Sequence, residues 1–157
     1  MPEPIRVYAD TSVFGGVFDE EFHSASRTLL DKVLEGRFRL VVSRLVEEEI
    51  EGAPVRVRSF FGEFRDNLET NAVPEEAVRL QQAYLAHGIV GEGSMADALH
   101  VALATVLACQ VIVSWNFKHI VHYQKIPLYN AVNRLMGRSE IGIHTPLEVI
   151  ADEDENL

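Results

Sequence analysis

A disulfide framework is excluded at the outset, because the chain has a single cysteine, Cys109. It lies in the apolar run from Val101 to Val113 and reads as a small buried hydrophobe in a reducing compartment. No apolar run approaches the ~20 residues that a membrane span needs. The opening Met1-Pro2-Glu3-Pro4 has neither the basic region nor the apolar stretch of a signal peptide. These readings predict a cytoplasmic protein with no membrane partner. Basic residues are also scarce: 14 Lys and Arg against 24 Asp and Glu, a formal net charge of −10. That balance argues against tight non-specific binding to nucleic acid, which depends on cations neutralising phosphates. Part of the acidic excess sits at Asp152, Glu153, Asp154 and Glu155, expected to be a frayed acidic tail over 151–157. Repeats and low-complexity linkers are missing too, and 157 residues fit one domain, placed at 1–150.

What is present is an alternation of short apolar strands with helices. Ile5 to Ala9, Phe38 to Val42, Val111 to Ser114 and Ile141 to His144 read as strands. Helices are expected from Ser24 to Leu34, stopped by Gly36, and from Ser43 to about Glu51. Further helices are expected over Val55 to Leu68, from Pro74 to Gly88, and from Met95 to Ala108. The last is apolar almost all round and so should be buried. The pattern predicts an α/β protein: a three-layer α/β/α sandwich with a central, mostly parallel sheet. Such sheets bind ligands at the carboxyl ends of their strands.

Asp10 directly follows the first strand, in Val7-Tyr8-Ala9-Asp10-Thr11-Ser12. It, or Ser12, also suits the cap of a short helix. Glu49 lies in the acidic run Glu47 to Glu51, which would ordinarily be a solvated face. At 3.6 residues per turn, however, Glu49 shares a stripe with Leu45, Val46 and Ile50, so it is the acid of that run expected on the packed side. A carboxylate there needs a partner or a cation. Asp97 sits three residues after Ser94, a capping-box spacing at the start of the buried helix. Asn116 follows the strand ending at Ser114; it suits a helix N-cap and equally a carbonyl donor to a metal or a bound water. Three acids and an amide at strand ends and packed helix positions suit oxygen coordination of Mg²⁺ or Mn²⁺.

The segments Asp10-Thr11-Ser12, Val42 to Ile50, Ala96 to Ala104 and Ser114-Trp115-Asn116-Phe117 resemble, in order, the four motifs of the PIN-domain family. Ser114 to Ile120, Ser-Trp-Asn-Phe-Lys-His-Ile, resembles one bacterial subgroup, and the whole is similar to the VapC type of toxin. The resemblance implies an endoribonuclease dependent on Mg²⁺ or Mn²⁺, with Asp10, Glu49 and Asp97 as metal ligands and Asn116 beside them. Ser12 would support the first acid, with Ser114 in a supporting position; Lys118, just past Asn116, suits a point-charge contact to a phosphate and equally a solvated surface lysine. The resemblance also implies an RNA substrate, a homodimer and an antitoxin protein as partner. Many members carry an acid where this chain has Asn116, so the site would hold three carboxylates. The alternative is a non-catalytic binding module on the same fold. A phosphatase with a nucleophilic strand-end Asp ranks below both, because position 12 is Ser where the haloacid-dehalogenase type would want a second Asp.

Other residues have plainer readings. His119 and His122 are three apart but lack a third ligand for zinc. His100 reads as a satisfied core histidine. Arg44, Arg56, Arg58 and Arg65 suit either a basic edge for RNA or surface ion pairs with Glu48, Glu51 and Glu63. Phe60, Phe61 and Phe64 read as core or a dimer contact before a base-stacking platform.

Overall fold

The computed structural model describes residues 3–155. Five parallel strands form one sheet in the order β3-β2-β1-β4-β5, where β1 is Ile5–Ala9, β2 Phe38–Ser43, β3 Glu69–Asn71, β4 Val111–Val113 and β5 Gly142–His144. The expected α/β sandwich is therefore realised, with a sheet parallel throughout. The helices are α1 (Thr11–Gly16), α2 (His23–Leu34), α3 (Arg44–Glu51), α4 (Val55–Phe64), α5 (Glu75–Ala86), α6 (Met95–Val106), α7 (Ile126–Leu135) and α8 (Pro146–Glu155). From β1 the chain winds outward through β2 to β3, then returns to the other side of β1 for β4 and β5. Right-handed crossovers run in opposite directions must lie on opposite faces. The packing follows: α1 to α4 and α8 neighbour one another, while α5 packs on α6 and α7. With both faces covered, Val7, Tyr8 and Ala9 of β1 and Leu40, Val41 and Val42 of β2 are fully buried.

Local chemistry explains most boundaries. Gly36 and Gly88, read as helix stops, both adopt positive φ, +80° and +76°, in the turns after α2 and α5. The expected helix from Val55 to Leu68 is cut short. Helix α4 ends at Phe64, a 3₁₀ turn covers Arg65–Asn67, and Glu69–Asn71 forms edge strand β3. This strand has no apolar residue to announce it. It is held by pairing with β2 and by a two-pronged bond from Arg6 of β1 to Glu69, at 2.6 and 2.8 Å. Helices α7 and α8 were not anticipated either. The backbone of α8 continues through the acidic segment to Glu155; positions 156 and 157 of the expected tail lie outside the described residues. Among the described residues no helix is long and apolar enough to cross a membrane. Cys109 is buried and unpaired, as expected, and burial raises its thiol to about 12. Of the three phenylalanines of α4, Phe61 and Phe64 are core, and Phe60 packs against it.

Candidate metal centre

The strand order reverses between β1 and β4, so their carboxyl ends flank the crevice where a parallel α/β sheet offers a site. Asp10 follows β1 at that point and Ser114 follows β4. The Asp10 carboxylate is only 5% exposed and has three donors. Ser12 contributes its backbone N–H (3.1 Å) and its hydroxyl (2.6 Å) to Oδ1, and the Ser114 hydroxyl donates to Oδ2 at 2.7 Å. The backbone N–H of Trp115 in turn donates to Ser12 Oγ at 2.8 Å. Asp10 thus both caps α1 and is locked in place, with its two oxygens facing hydroxyls. Among the described residues no Lys or Arg is ion-paired with it. Burial raises its pKa above the ordinary carboxylate value; nearby His100 and the hydroxyls of Ser12 and Ser114 pull it back, and Glu49 pushes it the same way as burial. A buried carboxylate with no cationic partner beside a second carboxylate is a setting that a divalent cation would relieve.

Glu49 is partly buried as expected, but it is not alone among the acids of the run, because Glu47 is covered further still, its side chain 25% exposed. Val46 and Ile50 are buried, Glu48 is exposed and bonded to Arg44, and Glu47 pairs with Arg65 at 3.0 Å. The Glu49 side chain is 34% exposed. Its Oε1 accepts from the Thr11 hydroxyl at 2.6 Å and contacts His100 Nε2 at 2.7 Å. Burial raises its pKa, but the hydrogen bonds from His100 and from the Thr11 hydroxyl hold it below the ordinary value. Asp10 and Glu49 are therefore brought together, with Thr11 and His100 between α1, α3 and α6.

Asp97 is not drawn into the same cluster. It is half-buried in the first turn of α6, one turn before His100 and so on the same side of that helix. The capping box is not formed: the Ser94 hydroxyl makes no cap bond and instead meets His119 Nε2 at 3.2 Å. The Asp97 carboxylate has no hydrogen bond or ion pair among the described residues. Its charge is felt by the buried Tyr129 hydroxyl, whose pKa burial already drives upward. Among the described residues no three His, Cys, Asp or Glu side chains stand together as a ligand set. Asn116 is not a helix N-cap, because a turn and not a helix follows it; its Oδ1 accepts from the backbone N–H of Lys118 (3.2 Å) and His119 (2.9 Å) within that turn. Lys118 is exposed. His119 and His122 share no ligand position; His122 Nδ1 accepts from the Gln124 N–H at 3.2 Å. Arg44 and Arg65 pair with acids, Arg58 donates to the Ala53 carbonyl, and Arg56 lies over the Phe18 ring. The donors at hand are all carboxylate oxygens, which suits Mg²⁺ or Mn²⁺ better than zinc.

Beside Trp115, whose backbone N–H supports Ser12, and not foreseen, opens a cleft of about 420 Å³ walled by Phe22, Trp115, Phe117 and Leu147. Phe22 stacks on Trp115 at 4.2 Å, and Phe117 is 49% exposed. The Trp115 indole N–H is pinned to Ser26 at 2.9 Å. Gly16 makes this possible: a Cβ there would lie 2.7 Å from both Ser26 Oγ and Trp115 Nε1. Gly16→Ala is therefore expected to destabilise the chain by roughly 1–3 kcal/mol, the usual cost of overpacking. Because Trp115 also supports Ser12, the same change should loosen Asp10. Urea denaturation with unaltered stability would show that the indole moves aside freely.

The geometry has clear counterparts. The family model described as the PIN domain matches residues 7–120. No curated protein matches the sequence. Among solved structures, a chain of VapBC2 from Rickettsia felis, bound to a DNA fragment from their promoter, superposes with a TM-score of 0.60 at 12% identity, covering 90% of this chain and 98% of that one. VapC20 of Mycobacterium tuberculosis, a toxin that cleaves the sarcin-ricin loop, gives 0.56 at 15% identity, covering 72% and 92%.

Proposed function

The chain belongs to the PIN domain family, and from that premise we propose that it is a Mg²⁺- or Mn²⁺-dependent endoribonuclease, the toxin of a toxin–antitoxin pair. The observation that carries the reading is the buried Asp10 carboxylate, held by three hydrogen bonds at the switch point of a parallel sheet, with Glu49 bonded to the adjacent Thr11 and close enough to raise the Asp10 pKa. Asp10 and Glu49 would hold the cation, and Asp97 would reach it from the first turn of α6. When bound, the ion would lower the pKa of a coordinated water and offset the charge that builds on the phosphodiester as one P–O bond breaks. Ser12 and Ser114 keep Asp10 oriented, and Thr11 keeps Glu49 oriented. The sarcin-ricin-loop cleavage of one structural neighbour and the VapBC complex of the other are precedents for the RNA substrate and for an antitoxin. A homodimer belongs to the same proposal; exposed Leu128, Leu135 and Met136 on and just after α7 offer a face for it to cover.

The test is incubation of the purified chain with total and ribosomal RNA, with Mg²⁺ or Mn²⁺ and with EDTA. Discrete fragments only in the metal-containing reactions are expected. A second reading, a binding module without catalysis, draws on the separation of Asp97 from the other acids and on the engagement of the Asn116 carbonyl by the backbone of the turn that follows it. A chain that takes up neither Mg²⁺ nor Mn²⁺ would establish that second reading.

A further inference from the structure

A buried chain of hydrogen bonds leads into the site from behind, and its directions can be assigned. Ser43 is fully buried at the end of β2, and among the described residues its hydroxyl oxygen has one partner, the Tyr8 hydroxyl at 2.9 Å. Although Ser43 precedes α3, its side chain does not cap that helix. If Tyr8 donated to Ser43, the Ser43 hydrogen would be left in a dry interior without an acceptor, at a cost of about 1–3 kcal/mol. Ser43 therefore donates to Tyr8. Tyr8, itself fully buried, has one hydrogen, and it goes to His100 Nδ1 at 2.8 Å. With Nδ1 an acceptor, the imidazole is neutral and carries its hydrogen on Nε2, which donates to Glu49 Oε1 at 2.7 Å. The Thr11 hydroxyl donates to that same oxygen. Both donors grip Oε1, and Oε2 has no hydrogen bond among the described residues.

We propose that His100 is a positioning residue for Glu49. The relay Ser43–Tyr8–His100 fixes the Nε2–H tautomer, which with Thr11 turns Glu49 so that Oε2 alone is offered to a divalent cation, as a one-oxygen ligand. The inference rests on the reading of Glu49 as a metal ligand. Ligating groups are generally oriented by such outer partners, and their loss weakens metal affinity about 10–100-fold. His100 is only 2% exposed, so solvent does not compete for either ring nitrogen. Tyr8, Ser43 and His100 come from β1, the end of β2 and α6, so three elements must dock before the tautomer is set.

The experiment has two arms. In the metal-free chain, a long-range ¹H–¹⁵N spectrum of the imidazoles should show His100 protonated at Nε2 and bare at Nδ1. Protonation at Nδ1 alone, or at both nitrogens, overturns the assignment. In the second arm, Mn²⁺ affinity is read by calorimetry or by the electron-spin signal of free Mn²⁺. His100→Gln places an amide N–H where Nε2 stood and should bind Mn²⁺ within about threefold of wild type. His100→Asn keeps only the inner position and should lose about 10–100-fold, and Tyr8→Phe should lose about tenfold. A general packing defect would weaken both His100 variants alike, which counts against the proposal, as does an unchanged affinity in His100→Asn. If the wild-type chain takes up no Mn²⁺, the nuclease reading falls, and the imidazole spectrum alone still decides whether the relay holds Glu49.

Discussion

Replacing Asp10 by Asn is expected to remove RNA cleavage by about a thousandfold or more while leaving the metal-free protein as stable as before, or more so. The activity loss follows from the reading of Asp10 as a ligand, since a Lewis-acid ion is worth several kcal/mol of transition-state stabilisation. The stability result follows from burial. Asp10 is desolvated and faces Glu49, and its folded pKa lies above its ordinary value of 3.8. A carboxylate raised on folding costs stability once it ionises. The cost is absent below about 3.8, where folded and unfolded chains are both protonated, and complete above the folded pKa. The Asp10 contribution to metal-free stability thus falls as pH rises through that window, and the Asn variant should lack the fall. Glu49 acts with the opposite sign: its folded pKa lies below 4.5, so its contribution is present above that value and is lost as pH drops through the folded pKa. The difference between wild type and Asp10→Asn cancels Glu49 to first order and isolates Asp10. The hydrogen bonds survive the change. Oδ1 can still accept from Ser12, and the new amide can donate to Ser114 Oγ, whose own hydrogen can turn to Ser12 Oγ, 3.5 Å away. Urea denaturation in EDTA at several pH values measures the stability. A loss of more than about 2 kcal/mol would mean that Asp10 serves mainly as a structural cap for α1.

How much of this was legible beforehand depended on the range of the interaction that decides each residue. Asp10 could be found because its position follows from local pattern: an acid directly after an apolar strand, with a hydroxyl residue two places on. Glu49 could be placed on the packed side because the helix period is local as well, but the period did not show that Glu47 is covered too, by its pairing with Arg65 across 18 residues. The sheet and its flanking helices followed from alternation, except where alternation was silent. Strand β3 is Glu-Thr-Asn, held by pairing with β2 and by Arg6, 63 residues from Glu69. Ser94 had the spacing of a capping box with Asp97, yet its hydroxyl meets His119, 25 residues on, a choice fixed by packing of the segment after β4 against α6. His100 was read as a satisfied core histidine, which it is. That one of its partners is Glu49 depends on a 51-residue separation that no spacing rule encodes. The aromatic cleft was hidden for the same reason, since Phe22 and Trp115 meet only when α2 docks beside the end of β4. Asn116 carried two readings of similar weight, and the N-cap reading is not realised: its Oδ1 is engaged by the backbone of a turn where no helix begins.

One divalent ion, not two, is expected to bind tightly when the free chain is titrated with Mg²⁺ or Mn²⁺, and its affinity should fall as the solution is acidified. Asp10, Glu49 and Asp97 together supply three negative charges, whereas two divalent ions bring four positive ones, so a second ion gains little until a phosphate adds charge. The position where many family members have an acid is Asn116 here, and its carbonyl oxygen is engaged by Lys118 and His119. The pH dependence comes from Asp10, whose raised pKa means that a proton competes with the ion at a higher pH than at an ordinary carboxylate. Above the folded pKa no proton is displaced and affinity is flat; below it, affinity drops by up to about tenfold per pH unit for each proton displaced. Ion binding should also reverse the burial penalty. At a free ion concentration about a hundred times the dissociation constant, unfolding should become harder by about 2.7 kcal/mol. Calorimetry at two pH values, in buffers of different ionisation enthalpy, reads stoichiometry, affinity and proton release together. Two equally tight ions without RNA, or an affinity indifferent to pH, would contradict the charge argument. Asp97→Asn tests the remaining ligand. Among the described residues Asp97 has no hydrogen-bond or ion-pair partner, and it lies one turn from His100. An ion held by Asp10 and Glu49 should therefore draw it inward, and the variant should bind more weakly, with undiminished affinity placing Asp97 outside the centre.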